Sequence, residues 1–276
     1  MKSILRKFLE MVDVFGFFER DPFGNLVFTK RILIGTLGSL TWARYMWTNK
    51  TVIKGTEHLE KLPENGVLFL SNHQTYFADV ICFYHIFCSV KWGFRNWIGL
   101  PIYLLAPRAR MYYVAASETM KDSGLVPRIF AQAGGITINR SWRAKGHDVK
   151  REVDKSAGDK IGKGLSDGWV VSFPQGTTSP YAPVRKGTGH LIKEHHPIVV
   201  PVVINGFRRA FDKKGLLLKK RGTTLSVTFK EPMRFDPSLS VEEIITHVEA
   251  FLEQDYPEGK QWYVKKQAEK TASSGT

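Results

Sequence analysis

Cysteine is nearly absent: the 276-residue chain has two, Cys82 and Cys88. Six positions apart in one apolar run, they set no disulfide framework and no zinc site, and they read as core or lipid-facing residues of a reducing compartment. A secretory leader is not expected either, because Glu10 and Asp13 stand where an apolar signal core would have to be. No apolar run is long enough to span a bilayer core of roughly 30 Å. The sequence holds neither a Gly-x-Ser-x-Gly elbow nor a Gly-x-x-x-x-Gly-Lys phosphate loop, and no internal repeat. Acidic residues are outnumbered, 26 Asp+Glu against 40 Lys+Arg, for a formal charge of +14. That balance suits an anionic partner but specifies no chemistry. A nucleic-acid or anionic-lipid binding module is the rival reading from another functional class, yet helix-turn-helix, RNA-binding strand and zinc spacings are all missing.

What is present is enough apolar material for a sizeable core, 43% hydrophobic and 12% aromatic residues. Near the start, Ile4, Leu5, Phe8, Leu9, Val12 and Phe15 recur at spacings of three and four, with Lys2, Arg6, Lys7, Glu10 and Asp13 on the opposite side. This is the pattern of an amphipathic helix. A second apolar stretch, Ile32 to Ala43, is bracketed by Arg31 and Arg44 and followed by Tyr45 and Trp47. A third, Asn96 to Pro107, follows Lys91, Trp92 and Arg95. Apolar segments edged by aromatic and basic residues predict a protein lying on an anionic membrane surface without crossing it, at the cytoplasmic face of the inner membrane.

From about Thr51 the pattern changes. Residues 66–71 (GVLFLS), 111–115 (MYYVA), 135–139 (GITIN), 169–173 (WVVSF), 198–204 (IVVPVVI) and 224–229 (TLSVTF) read as strands, and helix-length segments such as 148–166 lie between several of them. The expected fold class is α/β, a mixed sheet flanked by helices, with membrane-apposed amphipathic helices at the N-terminus. Residues 1–50 are expected as those helices, 51–262 as the main domain and 263–276 as a polar tail, disordered from Lys265.

The chemistry-bearing residues cluster in loops that leave the strands. After the first strand comes Ser71-Asn72-His73-Gln74-Thr75-Tyr76-Phe77-Ala78-Asp79. A histidine at a strand's C-terminal edge faces a crevice, and a nearby carboxylate can set its tautomer and stabilise the imidazolium, which is the equipment of a general base. A second loop, Phe173-Pro174-Gln175-Gly176-Thr177-Thr178-Ser179, offers close backbone approach and hydroxyl donors, and Arg185-Lys186-Gly187 follows it. A third element, Gly135 to Arg140, is a short strand delivering one arginine, and a fourth is Val200-Pro201-Val202. His195-His196, just before Pro197, reads as a surface turn, and the seven Lys and Arg between Arg208 and Arg221 read as a solvated basic face or an anion-binding patch.

Those four elements, in that order, resemble the glycerolipid acyltransferase superfamily over about residues 51–235. The matching positions are Asn72-His73, Arg140, Phe173-Pro174, Gly176-Thr177, Ser179, Lys186-Gly187 and Pro201. The resemblance implies transfer of a fatty acyl group from acyl-CoA or an acyl carrier protein to a lysolipid hydroxyl, 1-acylglycerol 3-phosphate being the reference acceptor. It also implies no metal, no further cofactor and no covalent acyl-enzyme. His73 is then the general base, Asp79 its orienting carboxylate, and Asn72, Arg140, Gln175, Gly176, Thr177, Thr178, Arg185 and Lys186 the substrate-binding set.

Three departures from the family pattern stand out. Five residues separate His73 from Asp79 where the family has four, and on an ideal helix one extra residue rotates the carboxylate by about 100°. The contact therefore requires an irregular turn. Gln175 replaces a glutamate and Thr178 an arginine in the region that holds the acceptor head group. That loss of charge favours a lyso-aminolipid acceptor, of the ornithine- or glycine-lipid type, as an alternative to the phosphate lipid. Finally, the stretch from Phe83 to Arg110 is longer than its family counterpart.

Overall fold

Nearly every residue of Val67–Ser71 is apolar and all five are buried, as in a strand covered on both faces. In the computed structural model, which describes residues 17–121, 125–139, 143–144, 147–148 and 156–273, this strand is central. The strands are β1 (Lys50–Lys54), β2 (Val67–Ser71), β3 (Met111–Ala116), β4 (Gly135–Ile138), a small hairpin of β5 (Arg143–Ala144) and β6 (His147–Asp148), β7 (Trp169–Ser172), β8 (Ile198–Asn205) and β9 (Thr224–Phe229). Seven of them form one sheet in the order β1-β9-β8-β2-β7-β3-β4. Pairing is parallel except between β8 and β9, so the sheet is mixed and β9 and β1 run opposite to the rest.

This order places β2 between β7 and β8, with Leu70 beside both Ser172 and Pro201. The loops leaving the C-terminal ends of three adjacent strands therefore meet, at the edge where open α/β sheets bind ligands.

Helices cover both faces. On one side lie α1 (Val27–Met46), α2 (Ala78–Lys91) and α4 (Leu125–Gln132), packed on an aromatic core of Phe69, Phe83, Phe87, Trp169 and Phe229. The short α3 (Ser117–Lys121) precedes α4. On the other side α5 (Ser156–Asp167), α6 (Lys186–His195) and α8 (Val241–Phe251) bury Leu68, Leu70, Val170 and Val199. A four-residue helix, α7 (Phe207–Ala210), follows β8, and α9 (Pro257–Ser273) ends the described chain. In α2, Ala78 through Ser89 are all buried, as expected for a helix apolar all round. Cys82 and Cys88 lie here among core side chains, and burial pushes the Cys88 thiol up to about 12.

Several sequence expectations shift. The amphipathic run at residues 4–15 falls outside the described residues. The stretch around 32–43 is a longer helix, and it belongs to the main core: Ile34 and Tyr45 are buried, Tyr45 donates to the Ala78 carbonyl (2.9 Å), and Trp42 donates to Ile98 (2.9 Å). A boundary at residue 50 would cut through that packing. The helix expected over 148–166 begins at Ser156, with His147–Asp148 paired in the hairpin. The tail expected to be disordered is helical as far as Ser273, so a boundary at 262 falls inside α9. Pro257 and Glu258 suit a helix start, and Lys266 pairs with Glu269 one turn on (3.3 Å).

Candidate active site

His73 leaves β2 two residues past its end, and its Nδ1 lies 2.9 Å from Asp79 Oδ2. The carboxylate is 1% exposed and fully satisfied: Oδ2 also accepts the backbone N–H of Gln74 (2.6 Å) and of Thr75 (3.0 Å), and Oδ1 accepts the Thr75 hydroxyl (2.7 Å). A buried carboxylate held by this many donors is fixed in place. It sits in the first turn of α2, where the helix dipole also favours a negative charge. Asp79 thus accepts a hydrogen bond from Nδ1–H of His73, the tautomer that leaves Nε2 as the acceptor nitrogen. The ring is further fixed by stacking on Phe173 at 3.8 Å between centroids, which ties the first loop to the second.

The extra residue between His73 and Asp79 is absorbed before α2 begins. Residues 72–77 are irregular, and the loop is pinned from outside where Tyr76 and Phe77 donate backbone N–H groups to Lys213 (3.1 Å) and Lys214 (2.9 Å). The facing turn is built around Asp212, which accepts from the backbone of Leu216 (2.8 Å) and Leu217 (2.9 Å). Gly215 touches the loop directly. It has φ +78°, and a Cβ there would come within 2.5 Å of Ala78 N and 2.9 Å of Thr75 Oγ1, so only glycine fits.

Asn72, expected to bind substrate, ties β2 to β8. Its amide donates to the Ile204 carbonyl (2.9 Å) and accepts from Ile204 N–H (2.8 Å), extending the β2–β8 ladder by one step. Gln74 does similar work, donating to Ile204 (3.0 Å) and accepting from the backbone N–H of Arg208 (3.2 Å).

In the second loop Gly176 takes φ +64° for the tight turn, and Thr177 Oγ1 accepts from Ser179 N–H (3.2 Å). Gln175 is 1% exposed, and its amide nitrogen is engaged within the protein. Its amide donates to the Ala182 carbonyl (2.7 Å) and to Gln254 Oε1 (3.1 Å), and Gln254 also holds Tyr181 N–H (2.9 Å). Burial with these acceptors explains a neutral amide here. Arg185 precedes α6, its backbone N–H donating to Pro174 (2.9 Å). Lys186 is exposed at the helix start and pairs with Glu242 (2.7 Å). Arg140 lies outside the described residues. β4, which leads to it, is at the sheet edge beside β3. His195 and His196 end α6, with His196 in the left-handed conformation that closes the helix.

One residue was missed. Arg208, in α7 just past the end of β8, donates its guanidinium to the Thr178 carbonyl while its backbone is held by Gln74. Burial lowers its pKa, and the charge of Asp79 acts in the opposite sense. In the sequence it looked like the first member of a solvated basic run. The available signal was its position three residues after a strand that ends beside β2.

The family described as Acyltransferase matches residues 52–205, more than half of the chain, and the chain belongs to that family. The match runs from β1 to the last residue of β8, so it contains both loops, while Arg208 and the Asp212 turn lie just beyond it. No curated protein matches. Among solved structures the chain is similar to the 1-acyl-sn-glycerophosphate (LPA) acyltransferase PlsC from Thermotoga maritima, at 19% identity and a TM-score of 0.49, over 82% of this chain and 79% of that one. The protein is therefore an acyltransferase, not a binding module.

Proposed function

We propose that the enzyme transfers a fatty acyl group from an acyl thioester, acyl-CoA or an acylated carrier protein, to the hydroxyl of a lysolipid such as 1-acylglycerol 3-phosphate. The carrying observation is that the His73–Asp79 pair sits at the start of the helix that also walls an apolar cavity. Val80 and Ile81 follow Asp79 directly, and with Ile34, Leu37, Leu104 and Phe130 they line a small apolar cavity. A base whose carboxylate partner heads the helix that lines an apolar cavity suits a hydroxyl carried on a fatty-chain lipid.

In this reading His73 Nε2 removes the hydroxyl proton as the oxygen attacks the thioester carbonyl, and Asp79 stabilises the imidazolium. The tetrahedral intermediate collapses, the C–S bond breaks, and the imidazolium proton passes to the thiolate, a good leaving group at a thiol pKa of about 8.5. His73 returns to its neutral form, and no acyl-enzyme forms.

The cavity walls also carry exposed apolar groups on their outer sides: Leu40 and Trp47 by α1, and Leu100 and Leu105 near the turn at Pro101–Leu104. Lys91, Arg95 and Lys219–Arg221 are cationic and partly or fully exposed. This combination fits docking to an anionic leaflet, from which an acyl chain enters without crossing water. No helix among the described residues is long and apolar enough to cross a membrane.

The test is thiol release from acyl-CoA and from acyl carrier protein, supplied with a panel of lysolipids in anionic vesicles. Turnover that depends on the lysolipid and vanishes in His73→Ala supports the reading. Lysolipid-independent release, or wild-type rates in His73→Ala, overturns it.

A further inference from the structure

Arg208 is an exposed cation one residue's contact from the base, its backbone held by Gln74. Among the described residues its guanidinium makes one hydrogen bond, to the Thr178 carbonyl, and no carboxylate pairs with it. A guanidinium carries five N–H donors, so most of its capacity is uncommitted. Its position is nonetheless closely held. The backbone N–H donates to Gln74 Oε1 (3.2 Å), and the carbonyl accepts from Lys219 Nζ (3.2 Å). Gln74 is the residue after His73, and Thr178 is the position at which the second loop lacks the arginine expected from the resemblance. A largely unspent guanidinium on a closely held backbone, at the junction of the two loops, is available to an anion.

We infer that Arg208 binds a phosphate monoester on the acyl acceptor, and so is a specificity-determining residue of this site. The inference rests on the acyltransferase reading given above. It names the acceptor, and not the donor, because of distance along the ligand. In a 1-acylglycerol 3-phosphate the phosphate is attached to the carbon next to the one bearing the reacting hydroxyl. In acyl-CoA the nearest phosphate is separated from the thioester by the whole pantetheine arm. An anion site on the neighbour of the base therefore belongs to the molecule that loses its proton there. The charge missing at Thr178 is in this way restored from the exit of β8, and Thr178 is no reason to prefer an acceptor without phosphate.

The experiment compares wild type with Arg208→Gln, which keeps a donor for the Thr178 carbonyl but loses the charge, and with Arg208→Lys, which keeps the charge but loses the fork. Thermal melts establish that each folds. Acyl transfer is measured to 1-acylglycerol 3-phosphate, to uncharged 1-acylglycerol and to an N-acyl amino acid bearing a carboxylate. The expected result is a KM for the phosphate acceptor raised roughly 10- to 100-fold in Arg208→Gln, as for a lost charge-assisted hydrogen bond, with kcat little changed and the uncharged acceptor unaffected. Arg208→Lys falls between, and adding Thr178→Arg to Arg208→Gln recovers part of the loss. Equal losses for charged and uncharged acceptors would mean a clamp on the second loop and overturn the inference. So would an Arg208 dependence confined to the carboxylate acceptor. Calorimetric binding of 1-acylglycerol 3-phosphate in detergent separates this inference from the reaction itself. If no acceptor is turned over but binding weakens in Arg208→Gln, the reaction reading fails and the anion site stands. Equal binding by wild type and Arg208→Gln overturns the anion site whatever the turnover.

Discussion

The two loops at the sheet edge depart from their family pattern in opposite ways. The loop after β2 keeps its chemistry and changes its length; the loop after β7 keeps its length and changes its chemistry. In both cases the same segment, residues 205–217, makes up the difference. Its turn around Gly215 holds the longer first loop so that Asp79 still meets His73, and its Arg208 reaches the Thr178 carbonyl in the second loop. A length change is tolerated when backbone groups from elsewhere satisfy the added residue. A charge change is tolerated when a neighbouring strand exit carries the charge instead. The segment that does both lies beyond the part of the chain matched by the family.

The comparison can be broken most severely at its reactive end. His73→Ala should lower turnover by roughly 10²- to 10⁴-fold, the range for a lost general base, with an unchanged melting curve. Wild-type kcat in that variant would remove the first loop from catalysis. Next in size is the turn that carries the length change. Gly215→Ala introduces a Cβ within 2.5 Å of Ala78 N at φ +78°, so stability should fall by about 1–3 kcal/mol. Turnover should fall roughly 10- to 100-fold as Asp79 and His73 lose register. Denaturant midpoints and kcat measured together would show whether the two losses travel together.

In the second loop, restoring the family residue should harm the protein. Gln175→Glu replaces an amide donor with a carboxylate facing the Ala182 carbonyl and Gln254 Oε1, and Gln254 cannot turn without losing Tyr181 N–H. A cost of about 1–3 kcal/mol is expected. The buried carboxyl stays protonated in the fold, so its pKa lies above that of the unfolded chain. The cost is therefore small below the ordinary carboxylate range near pH 4 and grows as pH rises. Midpoints that are equal for both proteins at pH 7 would contradict the buried role of Gln175.

A pH-dependent test concerns the helix behind the first loop. His85 in α2 is buried between Thr41 Oγ1 (3.3 Å) and the Tyr103 hydroxyl (3.0 Å), and burial lowers its pKa from 6.5 to about 3. Between those two values the unfolded chain binds a proton that the folded protein refuses. Wild-type stability should therefore fall with decreasing pH, by about 1.4 kcal/mol per unit from this residue alone. His85→Phe should show a shallower decline between pH 6.5 and 4 in urea titrations.

Much of this was legible along the chain. The central strand could be read because both of its faces are apolar, and His73 because it follows that strand into a polar loop. The mixed α/β class followed from strands alternating with helix-length segments. Asn72 and Gln175 were harder. Their residue types suit ligand binding, and only their partners, Ile204 and the Ala182–Gln254 pair, show that their amides also hold the fold together. The polar tail was misjudged because composition registers the absence of a core face, while a helix start at Pro257 needs none.

Local sequence thus determined which segments become strands and which histidine leaves a strand's C-terminal end, since periodicity and strand-exit position act over a few residues. Tertiary structure decided which groups meet there. Asn72 and Ile204 are 132 positions apart, and Arg208 and Thr178 are 30 apart; both contacts exist because the sheet places β8, β2 and β7 side by side. Strand order depends on how all the helices and strands pack at once, and no window of sequence contains it.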